Sequence, residues 1–450
     1  MSYCYDILKR SKELHLDECE VVSIQKDIIT VRITDSEIAE TKHNREKSSA
    51  IRIIDKKKII SAKTTENEKD LLERALQART FVRPMNLWNT LPFPSASATI
   101  ERMYDSHLAE MSDTSAIDIA QEMINASNHK DVTRISGSLN IVSETYHIVN
   151  TNGMDCSDKS TFISGTINTE SETGNSAVSG IGADCSRTKD RFSAQKIGHD
   201  ALEMCVSSIN PQKVESDTYQ IIFDPYAFGD LLSFVFSVNF NLKTYSEKRS
   251  CFSGKFGEKI SDDSLTIMDD PHAPDGIGSK PSDDEGVATK PQYLINSGVF
   301  SGLFSDSFEA FKNQKRSSAN AARPGSPMGR STQPSTVPQP HNLRVVDGKH
   351  SREEIIKDTK KGLLVGRLWY TYPINPEQGD FSCTARSGVK IIKDGKISSP
   401  GKSVRIVHNL KNILANITAI GNDSRNILQW HSLPSITPTI SVSGIPVTPL

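Results

Sequence analysis

The chain has 450 residues, too many for one ordinary hydrophobic core, so its length predicts two or three domains. Lys and Arg number 53 against 55 Asp and Glu, a net charge of −2, which argues against a dedicated nucleic-acid binder because such proteins usually carry a strongly basic face. The N-terminus is too polar for a signal peptide, no stretch approaches the ~20 apolar residues of a membrane span, and the seven cysteines never form a CxxC pair, which together predict a soluble cytoplasmic protein with reduced thiols.

Helical and alternating periods follow one another at the start of the chain. Apolar spacing of three to four residues predicts a helix over Tyr3–Leu14. Alternation over Glu20–Ser36 predicts a hairpin that turns at Lys26-Asp27, and a second hairpin is predicted over Ala50–Ala62. Helical spacing returns over Glu66–Val82. Helices laid on one face of an antiparallel sheet make an α+β domain.

A proline-rich segment comes next. Pro84–Thr99 predicts an extended crossing of the surface, and Trp88 within it is interpreted as a packing anchor rather than a platform for a ligand. A short amphipathic helix is predicted over Ala116–Ala126, with Thr114 or Ser115 as its N-cap.

Serine and threonine dominate the following zone. Thr133–Thr188 predicts strands that are half-exposed or lie along a groove, with its clearest turn at Asn152-Gly153. Ser193 then precedes a helix, and the sequence from Ser193 to Lys196 matches the Ser-x-x-Lys pattern of acyl-enzymes. The other motifs that this chemistry needs are missing, so Ser193 is interpreted as a helix cap.

The second half begins with a buried-type strand, Tyr219–Phe223, and with a helix that Pro225 starts. Ser317–His341 is rich in Pro and Ser and lacks a core-forming period, which predicts a mobile lid or an insertion. The patterns beyond it return to strands and short helices, namely Leu343–Val346, Ser351–Lys357, Gly362–Tyr372, Phe381–Lys393, Ser403–His408, Leu410–Ile417 and Thr439–Pro446.

An acidic, glycine-punctuated run lies from Met268 to Asp306. Its possible ligands for Mg²⁺ or Ca²⁺ are Asp269, Asp270, His272, Asp275, Asp283, Asp284 and Glu285. Asp-Asp-Pro and Asp-Glu-Gly are also turn sequences, in which Asp side chains accept bonds from neighbouring backbone amides. The spacing matches no EF-hand, so a structural loop is favoured and an ion site stays open as the alternative.

Four sequence blocks follow one another in the second half of the chain. They are FDPYAFGDLL (Phe223–Leu232), the acidic run, KGLLV…GDFS…GVKIIKDGKI (Lys361–Ile397) and LKNILANITAIGND (Leu410–Asp423). This order resembles the C-terminal domain of the TldD/PmbA family, historically called modulators of DNA gyrase. NTNG at Asn150–Gly153 fits the N-terminal part of the family. The resemblance implies an α+β fold, in which an N-terminal domain of sheet and helices precedes a C-terminal domain with a large mixed, barrel-like β-sheet. Its members are intracellular peptidase subunits that act as TldD–TldE (PmbA) pairs.

The metal-bearing subunits of this family carry a His-Glu-x-x-x-His motif in the helix after the proline-containing strand end. Two imidazoles hold zinc there, and the carboxylate takes a proton from the bound water. Alignment on the Leu-Leu pair of the motif places Ser233, Phe234 and Val238 at the His, Glu and His positions. None of these three side chains can ligate zinc or act as the base.

The third zinc ligand of the family, a cysteine near the C-terminus, has no counterpart in Ser424–Leu450. His431 falls in that stretch, but one histidine is not a site. Cys383 lies in a different block and is interpreted as a packed thiol. The resemblance therefore implies the PmbA (TldE) branch, with no catalytic or metal-binding residue in this chain and with zinc expected in a TldD-type partner.

The function implied is that of a non-catalytic subunit of a cytosolic metallopeptidase complex that degrades or processes unfolded peptides. Its partner would be a TldD-type subunit in a heterodimer or a second copy in a homodimer, with no membrane and no nucleic acid. Exposed strand edges can hold an extended peptide through main-chain hydrogen bonds. The candidate peptide- or partner-binding residues are Asp284, Glu285, Gly286, Gly379, Asp380, Phe381 and Ser382.

Two alternatives remain at this point. An autonomous metallopeptidase would need ligands from the acidic run or from His272, His341 or His431. A non-enzymatic peptide-binding scaffold or gyrase regulator would need no metal. The predicted domains are 1–98, then a strand-rich segment 99–215 that could merge with the first, then 216–450 with a flexible loop at about 315–341.

Overall fold

The computed structural model describes residues 2–65, 70–428 and 433–450. Its N-terminal half is an antiparallel sheet with helices on one face. The elements of this half are α1 (Ser2–Glu13), β1 (Glu18–Thr34), β2 (Glu37–Asp55), β3 (Lys58–Thr64), α2 (Leu71–Gln77), α3 (Ser106–Ala109), α4 (Asp113–Ser127), β4 (Arg134–Asn150), β5 (Asp155–Ser171), β6 (Val178–Ser186) and α5 (Ala194–Val206).

The strands of this sheet lie in the order β3-β2-β1-β4-β5-β6, and neighbours pair antiparallel. The predicted turn at Lys26-Asp27 is wrong, because β1 continues through both residues. Lys26 tolerates a mid-strand position because its Nζ donates to Met328 O at 2.7 Å and lies 3.7 Å from Glu144 Oε2. The second hairpin, with its turn at Lys56-Lys57, is confirmed.

Helices cover one face of this sheet, where apolar side chains such as Val31, Leu139 and Ile163 pack against α4 and α5. The predicted helix over Ala116–Ala126 is confirmed, but its predicted cap is wrong. Ser112 is the N-cap, and its Oγ accepts a hydrogen bond from Ser115 N.

The C-terminal half covers the opposite face of the sheet. Ile277 and Met328 pack there against Ile28, Val142 and Phe162. Most of the Ser/Thr-rich strand residues are therefore buried or half-buried. The strands predicted from residues 1–98 and from 99–215 share one sheet, and the domain boundaries themselves stay predictions.

The C-terminal half contains many short elements. They are β7 (Asp217–Phe223), α6 (Pro225–Leu231), α7 (Ser237–Asn239), α8 (Leu242–Ser246), β8 (Ile267–Asp269), β9 (Gln292–Asn296), β10 (Val299–Phe300), α9 (Ser307–Lys312), β11 (Ala321–Ala322), β12 (Val337–Pro338), β13 (Leu343–Val345), α10 (Arg352–Lys357), β14 (Lys361–Val365), β15 (Arg367–Asn375), β16 (Asp380–Ser387), β17 (Lys390–Lys393), β18 (Lys396–Pro400), β19 (Val404–Asn409), α11 (Leu410–Ala415), β20 (Ile417–Ile420), β21 (Arg425–Leu428), β22 (Pro434–Thr437) and β23 (Ile440–Pro449).

Two larger sheets organise these elements. The first follows the order β15-β16-β19-β23-β7-β14-β17-β18, with β20 beside β23, and curls into a half-barrel. It is mixed, because β7 pairs parallel with β14 and antiparallel with β23. The second follows the order β10-β9-β8-β13-β22-β21. The predicted α+β class with a mixed, barrel-like C-terminal sheet is confirmed.

The segment that contains Ser317–His341 crosses to the N-terminal sheet. Its strands β11 and β12 pair with each other, and between them Arg323 and Arg330 are almost fully buried against the face that β1 and β4 present. Its flexibility stays a prediction. Among the described helices, none combines the length and the apolar character that a membrane crossing needs.

Candidate functional site

The sequence of the helix that corresponds to the metal motif explains where this helix begins and which side chains it buries. Pro225 stands at its first turn, where a missing N–H costs no hydrogen bond. The helix runs through α6, a π-helical turn at Leu232–Phe236 and α7, and its apolar side chains enter the core of the C-terminal half. π-Helical turns occur often at functional sites.

The motif positions on this helix do not fit zinc. Ser233 is buried, and its Oγ donates to Leu433 O at 3.1 Å, while Phe234 and Val238 are half-buried and carry no ligand atom. Across residues 2–65, 70–428 and 433–450, no group of three or more His, Cys, Asp or Glu side chains is arranged to hold a metal ion. His431 lies outside the described residues.

The acidic run is folded as a turn held by protein donors. Asp283 Oδ1 accepts hydrogen bonds from Glu285 N at 3.0 Å and Val287 N at 2.9 Å, and its Oδ2 accepts from Ala321 N at 3.1 Å. Burial, and then the charge of Glu285, raise the pKa of Asp283 well above its ordinary value. Gly286 completes the turn at a φ of +83°.

The next two carboxylates face cations. Lys280 Nζ lies 2.9 Å from Asp284 Oδ1, and Arg330 Nε lies 3.0 Å from the same oxygen. Burial alone would raise the pKa of Asp284, but Lys280 and Arg330 hold it below its ordinary value. Burial alone would also raise the pKa of Glu285. The positive charge of Arg52 is the main cause that holds this pKa below its ordinary value.

These pairs belong to one buried network between the two halves. Arg52 Nη2 donates to Glu20 Oε2 at 2.8 Å, and Arg323 Nη2 donates to Glu20 Oε1 at 2.5 Å. Arg323 Nη1 also donates to Tyr146 OH, which in turn donates to Asp284 O at 2.8 Å. Arg323 and Arg330 were not among the residues predicted from the sequence. The pattern that indicates them is the occurrence of arginines in a stretch otherwise made of small and polar residues.

Two of the three histidines predicted as alternative ligands, His272 and His341, also have protein partners. His341 Nδ1 lies 3.0 Å from Asp269 Oδ2 in the buried interior, and Asp269 Oδ1 accepts from His341 N. His272 Nε2 lies 3.1 Å from Thr289 Oγ1. The oxygens of Asp269 therefore orient backbone and histidine atoms, which supports the structural interpretation of the run.

The second set of predicted binding residues lies on the half-barrel. Gly379 turns the chain at a φ of +88°, and Phe381 enters the core. Ser382 is buried and accepts a bond from Arg405 Nε, while Asp380 accepts from Asn409 Nδ2. No described hydrogen bond or ion pair joins this set to the Asp284–Gly286 turn, and a binding role for either set stays a prediction.

Two adjoining cavities follow the seam between β6, α6 and β21. The first has a volume of about 240 Å³ and is lined by Arg367 and by several amide and hydroxyl side chains, among them Ser138, Asn140, Ser164, Thr166, Asn168, Tyr226 and Asn426. The second has a volume of about 160 Å³ and is lined largely by charged side chains, among them Asp200, Glu203, Asp224, Arg352, Lys390, Asp423 and Arg425. Both are lined by Ala183, Tyr226 and Ile427.

A buried carboxyl lies on the helix beside these cavities. Asp230 is 2 % exposed, and its Oδ1 has no hydrogen-bond partner among the described residues. Burial, partly offset by Arg367, raises the pKa of Asp230 to about 8. Asp230 is therefore mostly protonated at neutral pH and cannot serve as a permanent anion. The sequence alone does not distinguish it from an exposed helical Asp.

Comparison with known proteins gives the family. A family model described as the PmbA/TldA metallopeptidase C-terminal domain matches residues 216–449, which is more than half of the chain, and the central domain of the same metallopeptidases matches residues 106–209. The chain belongs to the PmbA/TldD family. The family predicted from the four sequence blocks is thereby confirmed.

The PmbA/TldD fold extends over the whole chain. TldE from Thermococcus kodakarensis superposes with a TM-score of 0.90 at 22% identity, and a protein described as a modulator of DNA gyrase from Thermotoga maritima with a TM-score of 0.88 at 20% identity. Each match covers 99% of both chains. These likenesses show the fold.

Sequence relatives in the PmbA/TldD family carry the name metalloprotease. Metalloprotease PmbA of Escherichia coli O157:H7 is 26% identical over 55% of this chain and 51% of that protein. A metalloprotease of Methanothermobacter thermautotrophicus is 28% identical over 52% of this chain and 50% of that protein. The chain thus spans about half the length of the curated relatives that it matches.

Proposed function

We propose that this chain is a non-catalytic, PmbA/TldE-like subunit of a TldD/TldE-type metallopeptidase complex that degrades or processes unfolded peptides in the cytoplasm. One observation carries the proposal: at the positions of the family's metal motif stand Ser233, Phe234 and Val238. The hydroxyl of Ser233 already bonds a backbone carbonyl, and the other two side chains are hydrocarbon.

The chemistry of cleavage then belongs to a TldD-type partner, whose zinc would activate water. This chain would contribute walls and binding surface. The cavity beside Asn140 and Asn168 suits a peptide backbone, because their Oδ1 atoms accept from Thr30 and Arg367 and their Nδ2 groups would donate to peptide carbonyls. β15 is the edge strand of its sheet, and an edge strand would offer further main-chain pairing.

An autonomous metallopeptidase is the main competing function, and the name metalloprotease of the relatives favours it. It would require metal ligands from the acidic run, whose carboxylates already bind other groups. Asp284 pairs with Lys280 and Arg330, and Asp269 pairs with His341. Opening this network to bind a metal would leave buried arginines without their anions, which is costly.

Two measurements on the purified chain test the proposal. Elemental analysis by mass spectrometry is expected to find no stoichiometric zinc, and incubation with a denatured protein is expected to give no chelator-sensitive cleavage. Affinity purification from the native host is expected to recover a paralogue that carries the His-Glu-x-x-x-His helix, and cleavage is expected in that complex. One tightly bound zinc per chain, or cleavage by the chain alone, would refute the proposal.

A further inference from the structure

Among the cations that line the smaller, charged cavity, Lys390 has no ion-pair partner in the part of the chain that the structure describes. Lys390, on β17, is half-buried, and its ammonium group forms no ion pair and no hydrogen bond with any side chain in the described ranges. Burial, and then the nearby positive charge of Arg352, lower the pKa of Lys390 below its ordinary value. Glu203 and Asp224 offset this lowering in part. A half-buried ammonium group that forms no close ion pair favours an anion as ligand.

The remaining cations of the cavity are already paired within the protein. Arg352 binds Asp224 through two hydrogen bonds, Nε to Oδ1 at 2.7 Å and Nη2 to Oδ2 at 3.0 Å. Arg425 Nη1 donates to Asp200 Oδ2 at 2.7 Å. These pairs leave Lys390 as the group whose charge a ligand would balance.

The acidic side chains of the cavity balance the charge of Lys390 only in part, because Glu203 and Asp224 raise its pKa less than burial and Arg352 lower it. Asp423 accepts hydrogen bonds from Thr439 N at 2.8 Å and from Thr439 Oγ1 at 2.7 Å, and these two bonds fix the orientation of its carboxylate. Glu203 is exposed and therefore solvated. Asp224 stays with Arg352, although burial raises its pKa.

We propose that Lys390 binds the terminal carboxylate of a peptide, with Arg352 beside it as a second, already paired cation. The proposal rests on the proposed function in peptide processing and adds to it the end of the peptide that this subunit recognises. The adjoining larger cavity is lined by Asn140 and Asn168, whose Oδ1 atoms accept from Thr30 Oγ1 at 3.0 Å and from Arg367 Nη1 at 2.7 Å. Their Nδ2 groups would donate to the carbonyl groups that precede a C-terminus.

The geometry of the seam supports an elongated ligand. Both cavities reach Ala183, Tyr226 and Ile427, so the charged cavity and the amide-lined cavity adjoin along β6 and β21. A carboxylate held at Lys390 would therefore direct the preceding residues toward the amide-lined cavity. An ammonium ion on a flexible side chain acts as a point charge, so a single carboxylate is a sufficient partner.

Binding of a tripeptide tests the assignment. The probes are Ala-Ala-Ala with a free carboxylate and the same tripeptide with a C-terminal amide, titrated calorimetrically into the full chain. The free acid is expected to bind at least about tenfold more tightly, because the amide lacks the negative charge that the ammonium group of Lys390 would bind. Lys390→Met, which keeps the length and removes the charge, is expected to abolish that ratio.

Lys393→Met is the matched control, because Lys393 lies on the same strand and is exposed. It is expected to keep the preference for the free acid. Equal binding of acid and amide by the unaltered chain, absence of binding, or an unchanged ratio in a folded Lys390→Met variant would overturn the carboxylate site. None of these outcomes touches the proposed function, which fails instead if the chain holds zinc or cleaves peptides alone.

Discussion

Arg52 and Glu285 form a buried pair across 233 residues of sequence: Arg52 Nη1 and Nη2 each lie 3.1 Å from Glu285 Oε1. Arg52 belongs to β2 of the N-terminal sheet, and Glu285 belongs to the acidic run of the C-terminal half. Thr336 Oγ1 and Ser307 N also donate to this carboxylate. The acidic run therefore fastens one half of the molecule to the other.

Removal of the charge from Glu285 tests this role. Glu285→Gln keeps the volume but leaves Arg52 without part of its compensation, so the free energy of unfolding is expected to fall by about 3–5 kcal/mol. Arg45→Ala is the control, since Arg45 pairs with Asp27 at the exposed surface and such pairs contribute about 0–1 kcal/mol. Urea unfolding measures both. A loss below about 1 kcal/mol in Glu285→Gln would contradict the role of the network.

Trp88 anchors the proline-rich segment to the same region. Its ring stacks on Phe308 with a centroid distance of 6.5 Å, and its Nε1 donates to Glu18 Oε2 at 2.7 Å. Trp88→Ala is expected to destabilise the chain by about 3–5 kcal/mol through the cavity that it creates. Phe81→Ala, at a side chain that is 88% exposed, is expected to change stability by less than about 0.5 kcal/mol. Equal thermal midpoints for the two variants would show that Trp88 is no anchor.

Local patterns predicted much of the fold. The helix over Tyr3–Leu14, the hairpin over Ala50–Ala62 and the helix that Pro225 starts all depend on short-range spacing and turn chemistry, and the structure contains each of them. The predicted turn at Lys26-Asp27 is wrong because contacts between residues distant in the sequence, and not local spacing, determine the structure there. Its strand is stabilised by Met328 and Glu144, which are far away in the sequence.

The buried network and the seam could not be predicted in this way. Arg323 lies 303 residues from the Glu20 carboxylate that it binds, and no local period encodes such a pair. The polar residues of β4 and β5 gave a partial signal, because strands along a groove were one of the two predicted alternatives and Asn140 and Asn168 line a cavity. That Lys390 forms no ion pair with the residues that the structure describes is a matter of three-dimensional contacts, which no local pattern encodes.

Ser193 provides a test of the acyl-enzyme pattern. The structure confirms it as N-cap of α5, with Lys196 N donating to Ser193 Oγ at 3.2 Å. Ser193→Ala is expected to cost about 1 kcal/mol of stability, while Ser193→Asp is expected to retain it because Asp caps equally well. Neither is expected to alter peptide cleavage by the complex with the partner subunit. Loss of cleavage in the stable Ser193→Asp variant would instead indicate a nucleophile.

The buried carboxyl of Asp230 predicts a specific dependence of stability on pH. Burial, opposed by Arg367, raises its pKa to about 8, whereas the unfolded chain has an ordinary value near 3.9. Between these values the folded state holds a proton that the unfolded state has lost. The free energy of unfolding therefore falls as pH rises through this window, by up to about 1.4 kcal/mol per pH unit, and levels off above pH 8.

Asp230→Asn removes the titrating group and keeps its shape. The stability of the variant relative to the unaltered chain is expected to increase by up to about 3 kcal/mol between pH 5 and pH 7, measured by urea unfolding. Asp217→Asn is the control, because Asp217 is exposed and Lys361 lowers its pKa, so its titration lies below this range. If the curves of stability against pH run parallel for Asp230→Asn and the unaltered chain, Asp230 is ionised in the folded state and the proton assigned to it is absent.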